Sequence, residues 1–512
     1  MSPGKTKRPL AARAVPKSPT GIQGLDEITG GGLPRGRPTL ICGGPGCGKT
    51  ILAMEFLING ARHYGEPGIF MSFEESVEDL TLNFASVGFD PRPLAARKML
   101  VLDFVKVEAH QIQETGGYDL EGLFIRLGHA IDAIGAKRVV LDTIESLFSG
   151  LSDTSVLRSE LRRLFDWLRV KGVTAIVTGE RGEGRLTRHG LEEYITDCVI
   201  LLDHRIAEQN ATRRLRVVKY RGSTHDANES PFFIDSHGIS VLPITSTGLQ
   251  HTVPVGRVSS GVPEIDGMLG RRGYFRGSSI LVSGGAGTGK TNVAGYFVDE
   301  ACRRKESALY FAFEESSDQI ERNLRSIGVE LAPSIRSGRL HIHAARPTTS
   351  GLEGHLSTML RLVEEKLPRV VVVDPISNLV SVGTTVEVRA MLARLIDIMK
   401  VRKMTALFTS LTSDETHPGE TDVGIASFMD TWLMLRNLER NGERTRTLTV
   451  LKSRGMSHSN QVREFALTDR GLKVLDVVRD RGRVLVGSER VAHFTGRART
   501  AAHHPIPKAR RP

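Results

Sequence analysis

The chain has 512 residues, a formal net charge of +11 and 40% hydrophobic residues. This length favours two or more domains, and the apolar fraction is typical of globular cores. The basic charge lies at the ends. Residues 1–17 carry five basic and no acidic side chains, and residues 479–512 carry nine basic and two acidic ones. We expect both ends to be disordered. The near-neutral body, with few aromatic residues, argues against a nucleic-acid-binding protein.

The four cysteines indicate a reducing environment. Cys42, Cys47, Cys198 and Cys302 form no C-x-x-C pair and no cluster with histidine, so neither a zinc site nor a disulfide framework is predicted. No run of about 18 apolar residues is present, and the N-terminus lacks the apolar stretch of a signal peptide. We therefore expect a cytoplasmic protein without a membrane span.

The first strong motif is a glycine-rich loop between a predicted strand, TLICGG, and a predicted helix, ILAMEFLING. GGPGCGKT, residues 43–50, matches the phosphate-binding P-loop G-x-x-x-x-G-K-[ST]. Its backbone N–H groups and the helix N-terminus would surround the phosphates of ATP, Lys49 would reach the β- and γ-phosphates, and Thr50 would bind Mg²⁺. The predicted ATP-binding residues here are Gly44, Pro45, Gly46, Cys47, Gly48, Lys49 and Thr50.

Acidic residues follow two further predicted strands of the first half. Asp142 ends RVVLD, where a carboxylate beside a P-loop is the expected partner of Mg²⁺. Glu74 and Glu75 follow FMSF, and one of them is predicted to take a proton or orient water near the γ-phosphate. The alternatives are a strand-terminating turn residue for the aspartate, and a helix cap or surface pair for the glutamates.

A basic K-x-R-G motif stands near the end of the first half. Lys219 and Arg221 alternate along a predicted strand, so both side chains face one way. They lie far in sequence from their own P-loop, which favours contact with the nucleotide of a neighbouring subunit, and hence a ring. The alternative is an ordinary solvated strand edge.

The second half repeats all these parts in the same order, including GGAGTGKT at residues 284–291, YFAFEES, VVVDPISNL and LKSRGMSH. Two tandem domains, 18–245 and 246–478, are predicted, joined by a Pro/Thr/Gly-containing segment near 242–258 and flanked by tails 1–17 and 479–512. Apolar β-runs alternate with helical runs in each domain, which predicts an α/β fold with a mostly parallel sheet flanked by helices. The predicted second-half residues are Gly285, Ala286, Gly287, Thr288, Gly289, Lys290 and Thr291 in the loop, Thr291 and Asp374 for metal, and Glu314, Glu315, Lys452 and Arg454.

Over residues 18–478 this set of motifs resembles the RecA-like ATPases, and specifically the KaiC family. The resemblance implies a two-tier homohexamer with ATP between subunits, an ATPase first domain, and a serine/threonine autokinase and autophosphatase second domain. It assigns Glu74 and Glu75 to water activation, and Glu314 and Glu315 to the second site, with Glu314 favoured as base toward a protein hydroxyl. It adds Ser86 to the first ATP site. It also predicts two sets of residues that contact the neighbouring subunit's nucleotide. These are Lys219, Arg221, Ser223 and His225 in the first domain, and Arg446, Lys452, Arg454 and His458 in the second.

The family's phosphoacceptor pair maps onto TDVGIASFMDTWLML, residues 421–435. The first position of the pair is Ala426, which has no hydroxyl, and the second is Ser427. A two-site cycle is therefore not expected. The resemblance favours a single phosphoacceptor at Ser427, with Thr421 as the next candidate; the alternative is an ordinary loop serine.

Two other departures from the family bear on function. Pro375 follows Asp374 where the family usually has a small hydroxyl residue. The segment VLVGSER, Val484–Arg490, resembles the loop that lines the ring's pore, but the tail then becomes basic rather than acidic, so binding of the clock's activator protein there is not expected.

The resulting hypothesis is a hexameric signalling or clock-like switch, with KaiB-like or two-component signalling proteins as the partners that the resemblance implies. The alternatives are a RecA-like DNA-dependent ATPase and a non-catalytic scaffold that binds ATP only to assemble.

Overall fold

The computed structural model describes residues 15–106, 120–148, 154–182, 186–187, 196–207, 210–243, 254–412, 424–440, 443–469, 471–476, 478–480 and 483–485. The chain divides into two compact units, Met1–Ser246 and Thr247–Pro512. No helix in these ranges is long and apolar enough to cross a membrane. We refer to the two units as the first and the second domain.

The first domain alternates strands with helices. Its strands are β1 (Lys17–Ser18), β2 (Leu33–Pro34), β3 (Pro38–Gly43), β4 (Gly68–Ser72), β5 (Leu100–Phe104), β6 (Arg138–Asp142), β7 (Thr174–Glu180), β8 (Cys198–Ala207), β9 (Asn210–Tyr220), β10 (Ser230–Asp235) and β11 (Gly238–Val241). Its helices are α1 (Leu25–Ile28), α2 (Lys49–Tyr64), α3 (Val77–Ser86), α4 (Arg92–Ala96), α5 (Glu121–Ile134), α6 (Ile144–Leu147) and α7 (Thr154–Lys171).

Nine of these strands form one sheet in the order β11-β10-β9-β8-β3-β7-β6-β4-β5. The strands from β8 to β5 run parallel, and β9 to β11 extend the sheet in antiparallel fashion. Every residue of β3, β4 and β6 is buried, as expected for parallel strands that helices cover on both faces. Because the parallel strands share one direction, their carboxyl ends meet at one edge of the sheet.

The second domain repeats this arrangement. Its strands are β12 (Arg257–Val258), β13 (Tyr274–Phe275), β14 (Ser279–Gly284), β15 (Ala308–Ala312), β16 (Leu340–Ala344), β17 (Val370–Asp374), β18 (Thr405–Leu411), β19 (Thr431–Arg440), β20 (Glu443–Ser453), β21 (Arg463–Thr468), β22 (Gly471–Val474), β23 (Val478–Asp480) and β24 (Arg483–Leu485). Its α-helices are α8 (Pro263–Met268), α9 (Lys290–Arg303), α10 (Ser317–Arg325), α11 (Ala332–Arg336), α12 (Leu352–Lys366) and α13 (Thr385–Val401). Two 3₁₀ segments span Pro347–Thr349 and Ile376–Val382.

The second sheet has the order β16-β15-β17-β18-β14-β19-β20-β21-β22, so β14 takes the place that β3 has in the first. Its strands from β16 to β19 are parallel, and β20 to β22 are antiparallel. The prediction of two α/β domains, each with a mostly parallel sheet flanked by helices, is confirmed.

Both predicted tails are too long at their inner ends. Lys17, which was predicted to belong to the disordered N-terminal tail, pairs with Pro34 in the β1–β2 sheet, and its ammonium group donates to Gly30 O at 2.9 Å. Residues 478–485, predicted largely as C-terminal tail, contain the antiparallel pair β23–β24. In both places a short strand finds a backbone partner, a contact that composition and charge do not reveal.

Candidate functional site

Each P-loop connects the carboxyl end of a central strand to a buried helix. In the first domain the loop runs from Gly43 at the end of β3 to Lys49, the first residue of α2. Gly48 has φ +101°, and a Cβ there would come within 2.6 Å of Ile234 Cδ1, so both the backbone and the packing require glycine. Gly289 has the same φ before α9. The predicted loop residues therefore have the strand–loop–helix setting that a P-loop needs.

The loop lysines point back onto their own loops. Lys49 Nζ donates to Gly43 O at 2.9 Å and to Gly44 O at 3.1 Å. Lys290 Nζ donates to Gly284 O at 2.9 Å and to the next carbonyl at 2.8 Å. Burial lowers the pKa of Lys290, although Asp374 and Glu314 nearby favour its charged form. Each ammonium group thus lies over the mouth of the loop, at the N-terminus of a helix whose dipole attracts anions.

The strand-end aspartates lie beside the P-loops. In the first domain Asp142 Oδ2 accepts a hydrogen bond from Thr50 Oγ1 at 2.9 Å, and Oδ1 accepts one from Thr178 on β7. Burial raises the pKa of Asp142, and the two hydroxyl donors oppose that rise. The predicted pair of Thr50 and Asp142 is therefore in direct contact.

The second aspartate has one partner that corresponds to a partner of the first and one that differs. Asp374 accepts hydrogen bonds from Tyr310 Oη at 2.5 Å and from Thr409. Tyr310 is on β15, and Phe70, which has no hydroxyl, occupies the same place on β4 in the first domain. Thr291 and Asp374 line one cavity. The two domains thus bring the same hydroxyl–carboxylate pair together with different hydrogen bonds.

The two glutamates of each pair have different surroundings. Glu75 accepts from Asn83 Nδ2 at 3.1 Å, and Glu315 accepts from Asn323 Nδ2 at 3.0 Å, in each case from the helix that follows. Burial raises the pKa of Glu315. The second glutamate of each pair is therefore fastened to its own helix. The domains differ in the hydrogen bonds to the first glutamate of the pair, which is Glu74 in the first domain and Glu314 in the second.

Glu74 is held by two hydroxyl groups that follow Asp142. Its Oε1 accepts from Thr143 Oγ1 at 2.7 Å and from Ser146 Oγ at 2.6 Å. In the second domain Pro375 and Asn378 occupy these two positions, and neither carries a hydroxyl. No hydrogen bond to the Glu314 carboxylate is found in the part of the second domain that the structure describes.

The second site is a cavity of about 350 Å³. Its lining combines the P-loop, both glutamates, Asp374 and one distant arginine, Arg446. Arg446 Nε donates to Gly287 O at 3.3 Å. The resemblance groups Arg446 with Lys452 against a neighbouring subunit's nucleotide; the structure instead places it beside its own P-loop. Six residues separate the two side chains on β20, about 20 Å at the rise of a strand, so they lie at opposite edges of the sheet.

Lys452 and Arg454 meet at the amino edge of the second sheet, beside the predicted phosphoacceptor. Arg454 donates to Ser427 O at 2.9 Å, and Lys452 Nζ donates to Ala426 O at 3.0 Å. Ser427 is exposed, in a turn before β19. Asp430 fixes this turn, because its carboxylate accepts from Ser279 N at 2.9 Å. The two cations of the K-x-R-G motif therefore face one segment, as their alternation predicts. Thr421 lies outside the described residues.

The first domain has a similar basic edge. Arg221 N donates to Asp197 O at 2.8 Å, and Lys219 pairs with Val199 near the start of β8. His225 stacks on Tyr220 with ring centroids 6.3 Å apart, and it lines a cavity of about 370 Å³ with Thr224. The remaining predicted residues lie on the surface. Ser86 and Ser223 donate to nearby backbone carbonyls, and His458 is exposed.

Sequence reasoning missed several side chains that complete these sites. Thr178 and Thr409 hold the aspartates from the same place on β7 and β18. They stand at matching positions of TAIVTGE and TALFTSL, so a closer comparison of the two repeats could have found them. Arg213, at the place of Arg446, favours the thiolate of Cys47 in the first P-loop, although burial raises the pKa of that thiol. No local motif marks this arginine.

Two P-loops, each with an aspartate at the end of a parallel strand of the same sheet and a glutamate pair beside it, define a tandem P-loop ATPase of the RecA-like class. A family model described as "ATPase: KaiC" matches residues 18–246 and 258–478. The chain belongs to the KaiC ATPase family.

Named relatives support the same family. The chain is 54% identical over 477 residues to the circadian clock protein KaiC2 of Synechocystis sp., covering 93% of this chain and 84% of that one. It is 37% identical to the circadian clock oscillator protein KaiC of Synechococcus elongatus over 481 residues, with 93% and 92% covered. A similar protein of Prochlorococcus marinus is 37% identical over 479 residues, with 93% and 95% covered.

Proposed function

We propose that the first domain hydrolyses ATP, and that the second transfers the γ-phosphoryl group of ATP to Ser427 of a neighbouring copy of the chain. The observation that carries this proposal is the division of the second site between two edges of one sheet. The P-loop lies at the carboxyl edge, and Ser427 lies at the amino edge with Lys452 and Arg454. Family membership supports the ATPase activity of both domains.

The residues present fit ATP and Mg²⁺. The described residues contain no group of three or more His, Cys, Asp or Glu that could hold a metal by themselves. One aspartate and one hydroxyl per site suit Mg²⁺, which keeps several waters and takes further oxygens from the phosphates. Thr50 with Asp142, and Thr291 with Asp374, would hold the ion. When bound, it neutralises charge on the β- and γ-phosphates.

A single chain cannot bring its own Ser427 to its own P-loop without unfolding its sheet. Asp430 N donates to Ser279 O at the start of β14, and the P-loop begins at its other end. The six residues of β14 span about 16 Å at the rise of a parallel strand. Phosphoryl transfer needs the attacking oxygen about 3 Å from phosphorus. The donor of the phosphoryl group to Ser427 is therefore a second copy.

Such a contact joins two different faces of the chain, so repeating it closes a ring or grows a filament. We propose a ring, and the family resemblance indicates six members. In this ring Arg446 contacts the nucleotide from its own subunit, while Lys452 and Arg454 approach from the neighbour. Lys219 and Arg221 take the corresponding place in the first domain.

The two reactions differ only in the attacking oxygen. In the first domain a water oxygen bonds to the γ-phosphorus, the bond to the β–γ bridging oxygen breaks, ADP and phosphate leave, and Glu74 takes the water's proton. In the second domain Ser427 Oγ is the attacking oxygen, phosphoserine and ADP are the products, and Glu314 takes the proton. The reverse reaction, or hydrolysis, would remove the phosphate.

Phosphate on Ser427 would add a charge of about −1.5 to −2 beside Lys452 and Arg454 and would change how the neighbouring copies pack. Ala426 limits this switch to one of the two adjacent positions. Since the relatives are named circadian clock proteins, we propose a signalling or clock-like switch in the cytoplasm. KaiB-like or two-component signalling proteins are its proposed partners.

The proposal is tested by incubating the full-length protein with γ-labelled ATP and Mg²⁺ and mapping phosphopeptides by mass spectrometry. We expect label on Ser427 in the wild type, none in Ser427→Ala, and normal label in Ser337→Ala, which removes another exposed serine of the second domain. ADP release without any label would contradict the proposed autokinase activity but would remain consistent with the proposed ATPase activity. Label that persists in Ser427→Ala would show that another residue accepts the phosphate, and Thr421 would be the first candidate.

A further inference from the structure

The two hydroxyl groups on Glu74 are a feature of the first domain alone. Thr143 and Ser146 both donate to Oε1, at 2.7 and 2.6 Å. Thr143 directly follows Asp142 and is buried, and Ser146 is in the short helix α6. The two donors therefore come from a backbone segment that is anchored to the metal-binding strand. They hold one oxygen of the carboxylate, Oε1, in place.

The second oxygen of Glu74 remains available. Glu74 Oε2 accepts no hydrogen bond from the described residues. Oε2 is therefore the atom that can accept a proton next to the phosphate site. A water molecule has no covalent link to hold it there, so its orientation depends on the base that it contacts.

The second domain cannot make the same arrangement. Pro375 has no hydroxyl, and the Asn378 side chain lies 3.5 Å from Phe313 O instead of on Glu314. Glu314 lines the mouth of the cavity and is exposed, as Glu74 is in the first domain. A carboxylate without such donors is adequate when the attacking hydroxyl is itself positioned by a protein chain. Such a carboxylate orients a free water molecule poorly.

We propose that Thr143 and Ser146 are positioning residues that orient Glu74 toward water in the first domain. This inference rests on the proposed ATPase function of the first domain. It predicts that removal of the two hydroxyls slows turnover without weakening ATP binding, because neither hydroxyl contacts the P-loop.

The test uses full-length protein with Lys290→Ala, which leaves the first site as the source of ADP. Against this background we expect Thr143→Val with Ser146→Ala to lower kcat by about 10- to 100-fold, at or below the lower end of the roughly 10²- to 10⁴-fold that a general base contributes, because Glu74 itself remains. We expect KM to stay within about twofold. Thr143→Ser, which keeps the hydroxyl, should retain most of the activity. Thr81→Val is the control, since it removes a hydroxyl that bonds only within α3.

The outcomes separate the inference from the proposed function. If the Lys290→Ala protein releases no ADP, or if Glu74→Gln leaves its rate unchanged, the proposed role of the first domain is wrong. If Glu74→Gln abolishes ADP release but the double variant keeps the wild-type kcat, the positioning role is overturned. A rise in KM with unchanged kcat, or no rescue by Thr143→Ser, would also overturn it, because either result indicates a general loss of structure at the site.

Discussion

The two domains share one P-loop geometry but hold their acidic residues differently. Asp142 is bonded to the P-loop hydroxyl of Thr50, whereas Asp374 is bonded to Tyr310 on the neighbouring strand β15. Glu74 is fixed by two hydroxyls, whereas Glu314 has none available at the matching positions. A duplicated nucleotide site can therefore keep the geometry of its binding loop while the side chains opposite the loop make different hydrogen bonds. The predictions that follow compare matched changes in the two domains.

The largest difference is expected from exchanging the first glutamate of each pair for glutamine. Glu74→Gln should lower ADP release by about 10²- to 10³-fold and leave the label on Ser427, because in the proposed mechanism each glutamate serves its own site as general base. Glu314→Gln should remove the label from Ser427 and leave ADP release by the first domain unchanged. Both rates are measured in one incubation with γ-labelled ATP. Equal loss of both activities in either variant would show that the two sites are not chemically separate.

A second comparison concerns the first residue of the aspartate-bearing strand. Arg138 is fully buried and donates to Glu66 at 2.7 Å and to the carbonyls of Phe56 and Pro19 at 2.8 Å. Val370 stands at this place in the second domain. Arg138→Met should destabilise the first domain by about 3–5 kcal/mol, because two carbonyls lose their donor and the half-buried Glu66 carboxylate keeps, of its two arginine partners, only Arg35. Val370→Met should lower the free energy of unfolding of the second domain by about 1–3 kcal/mol, because the larger side chain overpacks the core.

The protein contains two tryptophans, Trp167 in the first domain and Trp432 in the second. Each domain can therefore be followed by fluorescence during denaturant unfolding, in a background where the other tryptophan is phenylalanine. An equal loss of stability for Arg138→Met and Val370→Met would show that the buried hydrogen bonds of Arg138 have no special weight.

The third comparison is between Glu55 and Tyr296, each six residues after its P-loop lysine. Burial raises the pKa of Glu55 to about 7, and its carboxylate accepts from Ile239 N at 2.8 Å. Tyr296 Oη accepts from Leu472 N at 2.9 Å and needs no charge to do so. Because the folded state holds a proton on Glu55 that the unfolded state releases, this group's contribution to stability is largest below pH 4.5 and declines as the pH rises toward 7.

We expect Glu55→Gln to stabilise the first domain at pH 8 by about 2 kcal/mol and to remove this part of its pH dependence. Unfolding midpoints between pH 5 and 8, followed through Trp167 in the Trp432→Phe background, measure the effect. Tyr296→Phe is the matched change in the second domain and should alter stability by the same amount at every pH. Parallel pH curves for wild type and Glu55→Gln would contradict the titration of Glu55.

Much of this architecture could be predicted from the sequence because the parts are local. A P-loop, a strand that ends in aspartate, and a glutamate pair after a strand each occupy a few consecutive residues, and the second copy supports every assignment. The contacts that distinguish the domains are not local. Thr178 reaches Asp142 only because β7 lies between β3 and β6 in the sheet. The order of the strands in the sheet cannot be inferred from the segment that contains Thr178 or from the one that contains Asp142.

Arg446 shows a second limit. The resemblance groups it with Lys452, and both are on β20, but a strand extends by about 3.4 Å per residue. Six residues are enough to carry a side chain from one edge of the sheet to the other. Once the strand is known to be continuous, the sequence spacing predicts the separation. Without the pairing of β19 with β20, nothing indicates that Arg446 reaches the P-loop.

The central claim, transfer between copies, is tested most directly by mixing two inactive chains. The Lys290→Ala chain keeps Ser427 but cannot use ATP at its second site, and the Ser427→Ala chain keeps the P-loop but has no acceptor. Coexpressed with tags that distinguish them, they should form mixed assemblies in which γ-label appears on Ser427 of the Lys290→Ala chain, while each chain alone stays unlabelled. No label in mixed assemblies, under conditions where the wild type is labelled, would contradict transfer from a neighbouring copy.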